Sequence, residues 1–262
     1  MKRIGITGKG SYIGSHFLEY MNEFDSYVIK EIDTKINDFS NYDFSDYDIL
    51  FHVAGIAHEN EKKNSSELYF KINCDLAYAI AAKAKKDGVK QFIFMSSMSV
   101  YGLISCQSEI TLETICKPNT NYGKSKLKAE SLITELESPN FNVCILRPPM
   151  VYGENSPGNL SKLFKFVRKI HIFPKFINKR SSISIENLIL FIRVCVDNEL
   201  SGIFLPQDKE YLCTYATVKN KMRDENIRVF YILLFNPLIR ILIGKSVLIS
   251  KVFGDLFYKK DL

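Results

Sequence analysis

The sequence predicts an α/β fold, a doubly wound parallel sheet with a small C-terminal lobe, and three observations point to it. A short apolar strand, Lys2 to Thr7, runs into a glycine loop, Gly8-Lys9-Gly10-Ser11-Tyr12-Ile13-Gly14, which opens a helical pattern. The runs ILFHVA (Ile49 to Ala54) and QFIFMS (Gln91 to Ser96) are continuously apolar, as strands buried on both faces are. Strand and helix patterns alternate at the spacing of right-handed crossovers, which makes the sheet parallel and Rossmann-type.

The elements follow in order. After the glycine loop, Ile13 to Phe24 has apolar residues at helical spacing, and Tyr27 to Ile32 is a second strand ending at Asp33. Ser66 to Lys86 reads as one long helix, Asn121 to Glu137 as another, and Val143 to Arg147 as a further buried strand before Pro148. Beyond Val151 the regularity weakens. Helical patterns at Asn159 to Lys169 and Glu186 to Asn198 alternate with short strand-like pieces at Ile170 to Phe173 and Gly202 to Leu205. The expected organisation is a dinucleotide-binding domain at 1–152, a small substrate lobe at 153–226 interleaved with the sheet, and a helical tail at 227–262.

The chain of 262 residues is long enough for a large core, and 46% apolar with 24% charged residues excludes a disordered or fibrous protein. From Lys219 onward there are nine Lys/Arg against four Asp/Glu, so most of the net charge of +6 lies at the end. No nucleic-acid-binding module accompanies that charge, and nucleic acid is not an expected partner. The six cysteines are scattered without CxxC spacing, and no signal peptide precedes them, which reads as reduced thiols in a cytoplasmic protein. The apolar stretch Ile227 to Tyr258 is interrupted by Arg240, Lys245, Lys251 and Pro237, so no membrane-spanning helix is expected. A pair of amphipathic helices packed on the lobe, or against another subunit, is one reading of it; an interfacial segment at an anionic membrane face is the other.

Two constellations carry chemistry. Backbone amides at a helix N-terminus suit a pyrophosphate, and a carboxylate at the end of the next strand suits the adenosine ribose hydroxyls. Asp33, 19 residues after Gly14, takes the second role, with Glu31 as its rival. A carboxylate there repels a 2′-phosphate and favours NAD, while Lys9 and Lys35 keep NADP open. The glycine expected at position 11 is Ser11, acceptable where its φ is negative. The second constellation is Tyr122-Gly123-Lys124-Ser125-Lys126, which puts Tyr122 and Lys126 on one helix face. A cation beside the phenol is expected to lower its pKa and make it an acid/base. Ser97, at the end of QFIFMS, lies at the carboxyl edge where parallel sheets bind ligands. His52 and His58 suggest core or loop positions, and no metal site is expected.

Thr7-Gly8 to Gly14, HVAG at His52 to Gly55, Asn73, SSMSVYG at Ser96 to Gly102, YGKSK at Tyr122 to Lys126 and LRPPMVYG at Leu146 to Gly153 occur in one order. In that order the chain resembles the extended short-chain dehydrogenases/reductases, and more narrowly the nucleotide-sugar epimerase/dehydratase group, from Met1 to about Leu205. The resemblance implies that Tyr122 is the acid/base at the sugar 4-hydroxyl, with Ser97 hydrogen-bonded to the same oxygen and Lys126 holding the nicotinamide ribose. Gly8, Gly10, Ser11, Tyr12, Ile13, Gly14, Asp33, Ala54, Gly55, Asn73 and Pro148 would line the cofactor site. In the lobe, Asn159 and Leu160 would meet the diphosphate and Arg180 would clamp it, as a guanidinium fork suits. Asn73 as a turn cap, Asn159 as a helix cap and Arg180 as a surface charge are the plain alternatives.

Related 4,6-dehydratases carry an Asp-Glu pair after the catalytic Ser/Thr, where this chain has Met98-Ser99. A dehydratase is therefore not expected. The resemblance implies an NAD-dependent 4-epimerase of the UDP-glucose 4-epimerase type, acting by hydride transfer at sugar C4 in the supply of surface polysaccharide precursors. An NAD(P)H-dependent reductase of a UDP-4-keto-6-deoxy-hexosamine is the alternative, and a non-catalytic dinucleotide sensor the alternative of another class. A homodimer formed by paired helices is common in relatives.

Overall fold

The computed structural model describes residues 1–34, 42–57 and 66–260. In chain order the elements are β1 (Lys2–Thr7), α1 (Tyr12–Met21), β2 (Tyr27–Ile32), β3 (Ile49–His52), α2 (Ser66–Phe70), a π-helical turn (Lys71–Asp75), α3 (Leu76–Lys86) and β4 (Gln91–Met95). A 3-10 turn (Met98–Tyr101), α4 (Asn121–Thr134), β5 (Asn142–Leu146) and β6 (Met150–Tyr152) follow. Then come α5 (Asn159–Ile170), β7 (Ile172–Pro174), β8 (Ser182–Ser184), α6 (Ile185–Asp197), β9 (Gly202–Phe204), α7 (Thr214–Asp224), β10 (Phe230–Ile232), α8 (Asn236–Leu242) and α9 (Val247–Phe253).

The central sheet has six parallel strands in the order β2-β1-β3-β4-β5-β9. Its strand order reverses at β1, which makes the carboxyl ends of β1 and β3 the place where a ligand crevice forms. Register fixes that edge: Thr7 pairs with Ile32 and His52, His52 with Phe94, and Met95 with Leu146. Both faces of the sheet are covered, as the apolar runs require. On one face Ile4, Ile6 and Phe51 pack with Phe17 and Met21 of α1 and with Leu188 and Ile192 of α6. On the other, Leu50, Phe92 and Ile145 pack with Ile80 and Ala81 of α3 and with Ala129 and Ile133 of α4. Fully burying each large apolar side chain contributes about 1.5–3 kcal/mol, so these layers fix where the strand ends lie.

The helices begin where the sequence provides caps. The Ser11 hydroxyl oxygen accepts from the Gly14 amide at α1, Thr120 from Gly123 at α4, and Ser184 from Asn187 at α6. The stretch read as one helix over Ser66 to Lys86 is instead interrupted by a π turn at Lys71–Asp75, with Asn73 buried inside it. Such turns occur frequently at functional sites, where the extra residue re-aims a side chain.

The chain divides into two compact units. Unit 1 comprises residues Met1–Gly102, Ile115–Gly153 and Ile183–Pro206, and contains the sheet. Unit 2 comprises Leu103–Thr114, Glu154–Ser182 and Gln207–Leu262. Val167, Phe173, Phe176, Val218, Met222, Ile239 and Phe253 form its core. β10 pairs in parallel with β7, Phe230 opposite Ile172, and Tyr258 bridges to Ile110. The apolar tail is thus built into this unit as two seven-residue helices. Pro237 starts α8 instead of kinking it, since the first turn has no use for the missing amide. Among the described residues no helix is long and apolar enough to cross a membrane.

Candidate active site

The glycine loop leaves the carboxyl end of β1 and has the backbone that a phosphate cradle needs. Gly8 has φ +105°, and a Cβ there would lie 2.8 Å from the Ala54 amide nitrogen, so the loop and the residues after β3 touch backbone to backbone. Gly10 has φ +73° with nothing within 4 Å of a Cβ, leaving open space over the loop. Ser11, at φ −73°, has the negative φ that a serine in the glycine's place requires. Its oxygen caps Gly14, and its hydroxyl proton remains to be donated. The first-turn amides at Tyr12 and Ile13 point out of the helix N-terminus. Asp33 is exposed immediately after β2, while Glu31 turns to the loop, its Oε1 accepting from the Gly10 amide at 2.9 Å. A close backbone cradle at a helix N-terminus, with a carboxylate at the end of the neighbouring strand, fits a nicotinamide dinucleotide. Lys35, invoked for NADP, lies outside the described residues.

Asn73 ties the loop after β3 to α4. Its Oδ1 accepts from the Ile56 amide at 2.9 Å, and its Nδ2 donates to the Ile56 carbonyl and to Ser125 Oγ, both at 3.1 Å. Both amide protons are used within the protein, so the side chain positions the loop that carries Ala54 and Gly55. A Cβ on Gly55 would lie 2.9 Å from Asn73 Oδ1 and 3.3 Å from Lys126 Nζ, which explains the need for glycine there.

Ser97 begins the 3-10 turn just past β4, where its oxygen accepts from the Ser99 amide at 3.1 Å. Its hydroxyl donates to Ser99 Oγ at 3.1 Å, and it is near enough to the Tyr122 phenol to lower that group's pKa. Lys126, one helical turn beyond Tyr122, donates from Nζ to the Met95 carbonyl at 2.8 Å and lies 4.6 Å from the Phe94 ring centre. The three residues therefore meet at the carboxyl end of β4.

The electrostatics differ from the expected lowering of the Tyr122 pKa by Lys126. Burial raises the Tyr122 phenol above its ordinary range, against a lowering contribution from Ser97, and Lys126 is not among the causes. Burial also lowers the Lys126 ammonium to about 8, with Glu130 opposing the fall. Desolvation is the largest cause for both groups, a contribution that helical spacing does not contain.

Pro148 is buried beyond β5, and its carbonyl accepts from the Met98 amide at 2.9 Å, which fixes the turn that carries Ser97. Beneath it lies a network absent from the sequence reading. Arg147 forks onto Glu130, Nη2 to Oε2 at 2.6 Å and Nε to Oε1 at 3.1 Å, and Nη1 reaches the Tyr101 hydroxyl at 3.0 Å. The Ser96 hydroxyl donates to Glu130. The pair Glu130 and Lys126 on α4, and Ser96 beside Ser97, connect this network to the site residues. Their contact depends on three separate elements, so no local spacing revealed it.

His52 is a core residue. Its Nδ1 lies 2.7 Å from Thr7 Oγ1, its ring stacks on Phe92 and Phe94, and burial lowers its pKa to about 3, with Lys126 adding to the fall. His58 lies outside the described residues. Among the described residues no group of three His, Cys, Asp or Glu is placed to hold a metal.

The remaining residues belong to unit 2. Leu160 is in the first turn of α5, and Asn159 is its first helical residue, the cap being Gly158. Arg180 donates from Nη1 to the Gly254 carbonyl at 2.8 Å and pairs through its backbone with Leu212 and Leu256. Burial lowers its guanidinium pKa, Cys106 and Asp255 acting in opposition.

Known proteins are similar to this chain in sequence and fold. Over its full length the chain is 28% identical to the UDP-glucose 4-epimerase of Vibrio cholerae, covering 84% of it. Over 75% of its length it is 26% identical to the N-acetyl-alpha-D-glucosaminyl-diphospho-ditrans,octacis-undecaprenol 4-epimerase of Escherichia coli O157:H7, covering 64% of that protein. The fold matches the UDP-glucuronic acid 4-epimerase of Bacillus cereus, solved with NAD, with TM-score 0.74 at 19% identity over 88% of this chain and 87% of that one. It also matches the dTDP-4-dehydrorhamnose reductase of Bacillus anthracis, solved with NADP, with TM-score 0.72 at 20% identity over 89% and 85%. Residues 4–175 match the model of the NAD dependent epimerase/dehydratase family, and with the cradle and the Ser97-Tyr122-Lys126 cluster in place the chain belongs to that family.

Proposed function

We propose that the protein is a 4-epimerase of a sugar carried on a diphosphate, in the manner of the nucleotide-sugar epimerases it resembles. The observation that carries this is the meeting of Ser97, Tyr122 and Lys126 at the carboxyl end of β4, beside the loop that follows β3. When bound, a nicotinamide dinucleotide would supply the acceptor and then the donor of the hydride at sugar C4. Tyr122 takes the proton of the sugar 4-oxygen and returns it, Ser97 orients the phenol, and Lys126 stands where a ribose hydroxyl would be held. Met98 and Ser99 stand where an elimination needs an extra acid and base, so the residues suit proton transfer at one oxygen only.

The second reading is a 4-keto-sugar reductase, and one observation favours it. Burial holds Tyr122 as the neutral phenol, the form that donates a proton to a developing alkoxide. A non-catalytic dinucleotide sensor has no use for a serine, a tyrosine and a lysine arranged in this way. The roles of Asn159, Leu160 and Arg180 toward the diphosphate, a homodimer, and a place in surface polysaccharide supply belong to the same proposal.

The test is turnover of UDP-sugars by the purified protein and by Tyr122→Phe, with C4 configuration followed by proton NMR. The variant is expected to bind NAD normally and to lose turnover by about 10²-fold or more. Unimpaired turnover in the variant would refute the tyrosine mechanism. Stoichiometric NAD released on denaturation supports the epimerase, and its absence the reductase.

A further inference from the structure

We infer that unit 2 carries a docking surface for an anionic lipid bilayer, made jointly by two separate segments of the chain. Residues 155–185 contain seven Lys/Arg and no Asp/Glu, and residues 226–254 contain four and none. β7 lies in the first segment and β10 in the second, and their parallel pairing joins the two. On that junction Phe230, 72% exposed, stands opposite the exposed Ile172. The chain then continues through Leu233 and Leu234, the latter 81% exposed, to Leu238 on α8 and Leu248 on α9, the latter 71% exposed. Arg240, Lys245 and Lys251 stand exposed among these apolar side chains, and Lys165, Lys169 and Lys175 stand exposed on the first segment.

The exposure is not a failure to fold. Ile239 and Phe253 on the same two helices are buried in the core of unit 2, so each helix keeps one face inside and turns a large apolar face outward. Next to this face is an open cleft of about 500 Å³ lined by Lys219, Arg223 and Arg228 together with Phe230 and Tyr231, a space at the scale of a phosphate headgroup. Asp224 and Glu225 beside the cleft are paired with Arg223 and with Arg168 and Lys221, while the apolar side chains set among Arg240, Lys245 and Lys251 complement a surface that offers acyl chains beneath anionic phosphates. A second copy fits this face poorly, because a two-fold contact would set Arg240, Lys245 and Lys251 of one copy against the same cations of the other.

The test is flotation of the full-length protein with vesicles of phosphatidylglycerol or of phosphatidylcholine at low salt. The protein is expected to float with the first and to stay behind with the second. Removing residues after Asn226 would take Ile239 and Phe253 from the core, so point variants serve better. Leu234→Ser with Leu248→Ser, and separately Lys245→Glu with Lys251→Glu, should each lower the bound fraction about tenfold, with circular dichroism and melting unchanged. Failure of the wild type to float with phosphatidylglycerol overturns the inference, as does equal flotation with both vesicles or unchanged flotation of both variants. A solution mass of two chains that both variants reduce to one would assign the face to a second copy instead.

Discussion

Replacing Lys126 by methionine is expected to stabilise the protein at neutral pH while destroying its activity. Burial brings the Lys126 ammonium from an ordinary 10.5 to about 8. At about 1.4 kcal/mol per pH unit, charging this side chain inside the protein costs about 3 kcal/mol at pH 7. The folded pKa lies below the unfolded one, so between pH 8 and 10.5 the unfolded chain binds more protons and stability rises with pH. Methionine fills similar space without the charge. It forfeits the 2.8 Å bond to the Met95 carbonyl, and leaving that carbonyl unpaired returns about 1–2 kcal/mol. The net gain at pH 7 is about 1–2 kcal/mol, a rise in Tm of about 4 °C. At pH 10 the charging cost falls below about 1 kcal/mol, the lost bond dominates, and the variant should melt below the wild type. Calorimetry at the two pH values checks this. A lower Tm for the variant at pH 7, or a shift of the same sign and size at both, would refute the reasoning.

Gly8→Ala places a Cβ 2.8 Å from the Ala54 amide at φ +105°, and the cradle must open to admit it. NAD affinity measured by calorimetric titration should fall about tenfold or more, with about 1–3 kcal/mol of strain in the fold. Arg147→Met leaves the Glu130 carboxylate, 4% exposed, without its guanidinium, and should lower stability by about 3–5 kcal/mol in urea titrations. Because Glu130 shares α4 with Tyr122 and Lys126, turnover of that variant should fall even at temperatures where it remains folded.

How far the sequence was legible depends on the range of the interaction. The glycine loop, the buried strands and the i, i+4 pair of Tyr122 and Lys126 are local patterns, and each element formed close to where periodicity placed it. The break at Lys71–Asp75 was not legible, since the partners of Asn73 within it, Ile56 and Ser125, lie 17 and 52 residues away. Asn73, expected to line the cofactor site, also clamps the loop after β3 to α4, which no local pattern announced. The tail shows the same limit in reverse. Its composition announced apolar helices, but only the pairing of β10 with β7 joins the tail to the segment around Ile172.

The raised Tyr122 and lowered Lys126 also separate the two activities by their pH dependence. An epimerase attacking a hydroxyl needs Tyr122 as phenolate and Lys126 as ammonium, the reverse of the protonation order that burial imposes. Its kcat/KM should then climb about tenfold per pH unit up to the Lys126 value of about 8, level off, and fall only above the raised phenol pKa. A reductase needs the neutral phenol and the ammonium together, the form that already prevails below pH 8. Its kcat/KM should be flat from pH 6 to about 8 and decline beyond it. The slope between pH 6 and 8 is therefore diagnostic. A flat profile for C4 epimerisation would mean that Tyr122 does not start the reaction as phenolate, and it would remove the mechanism proposed for this site.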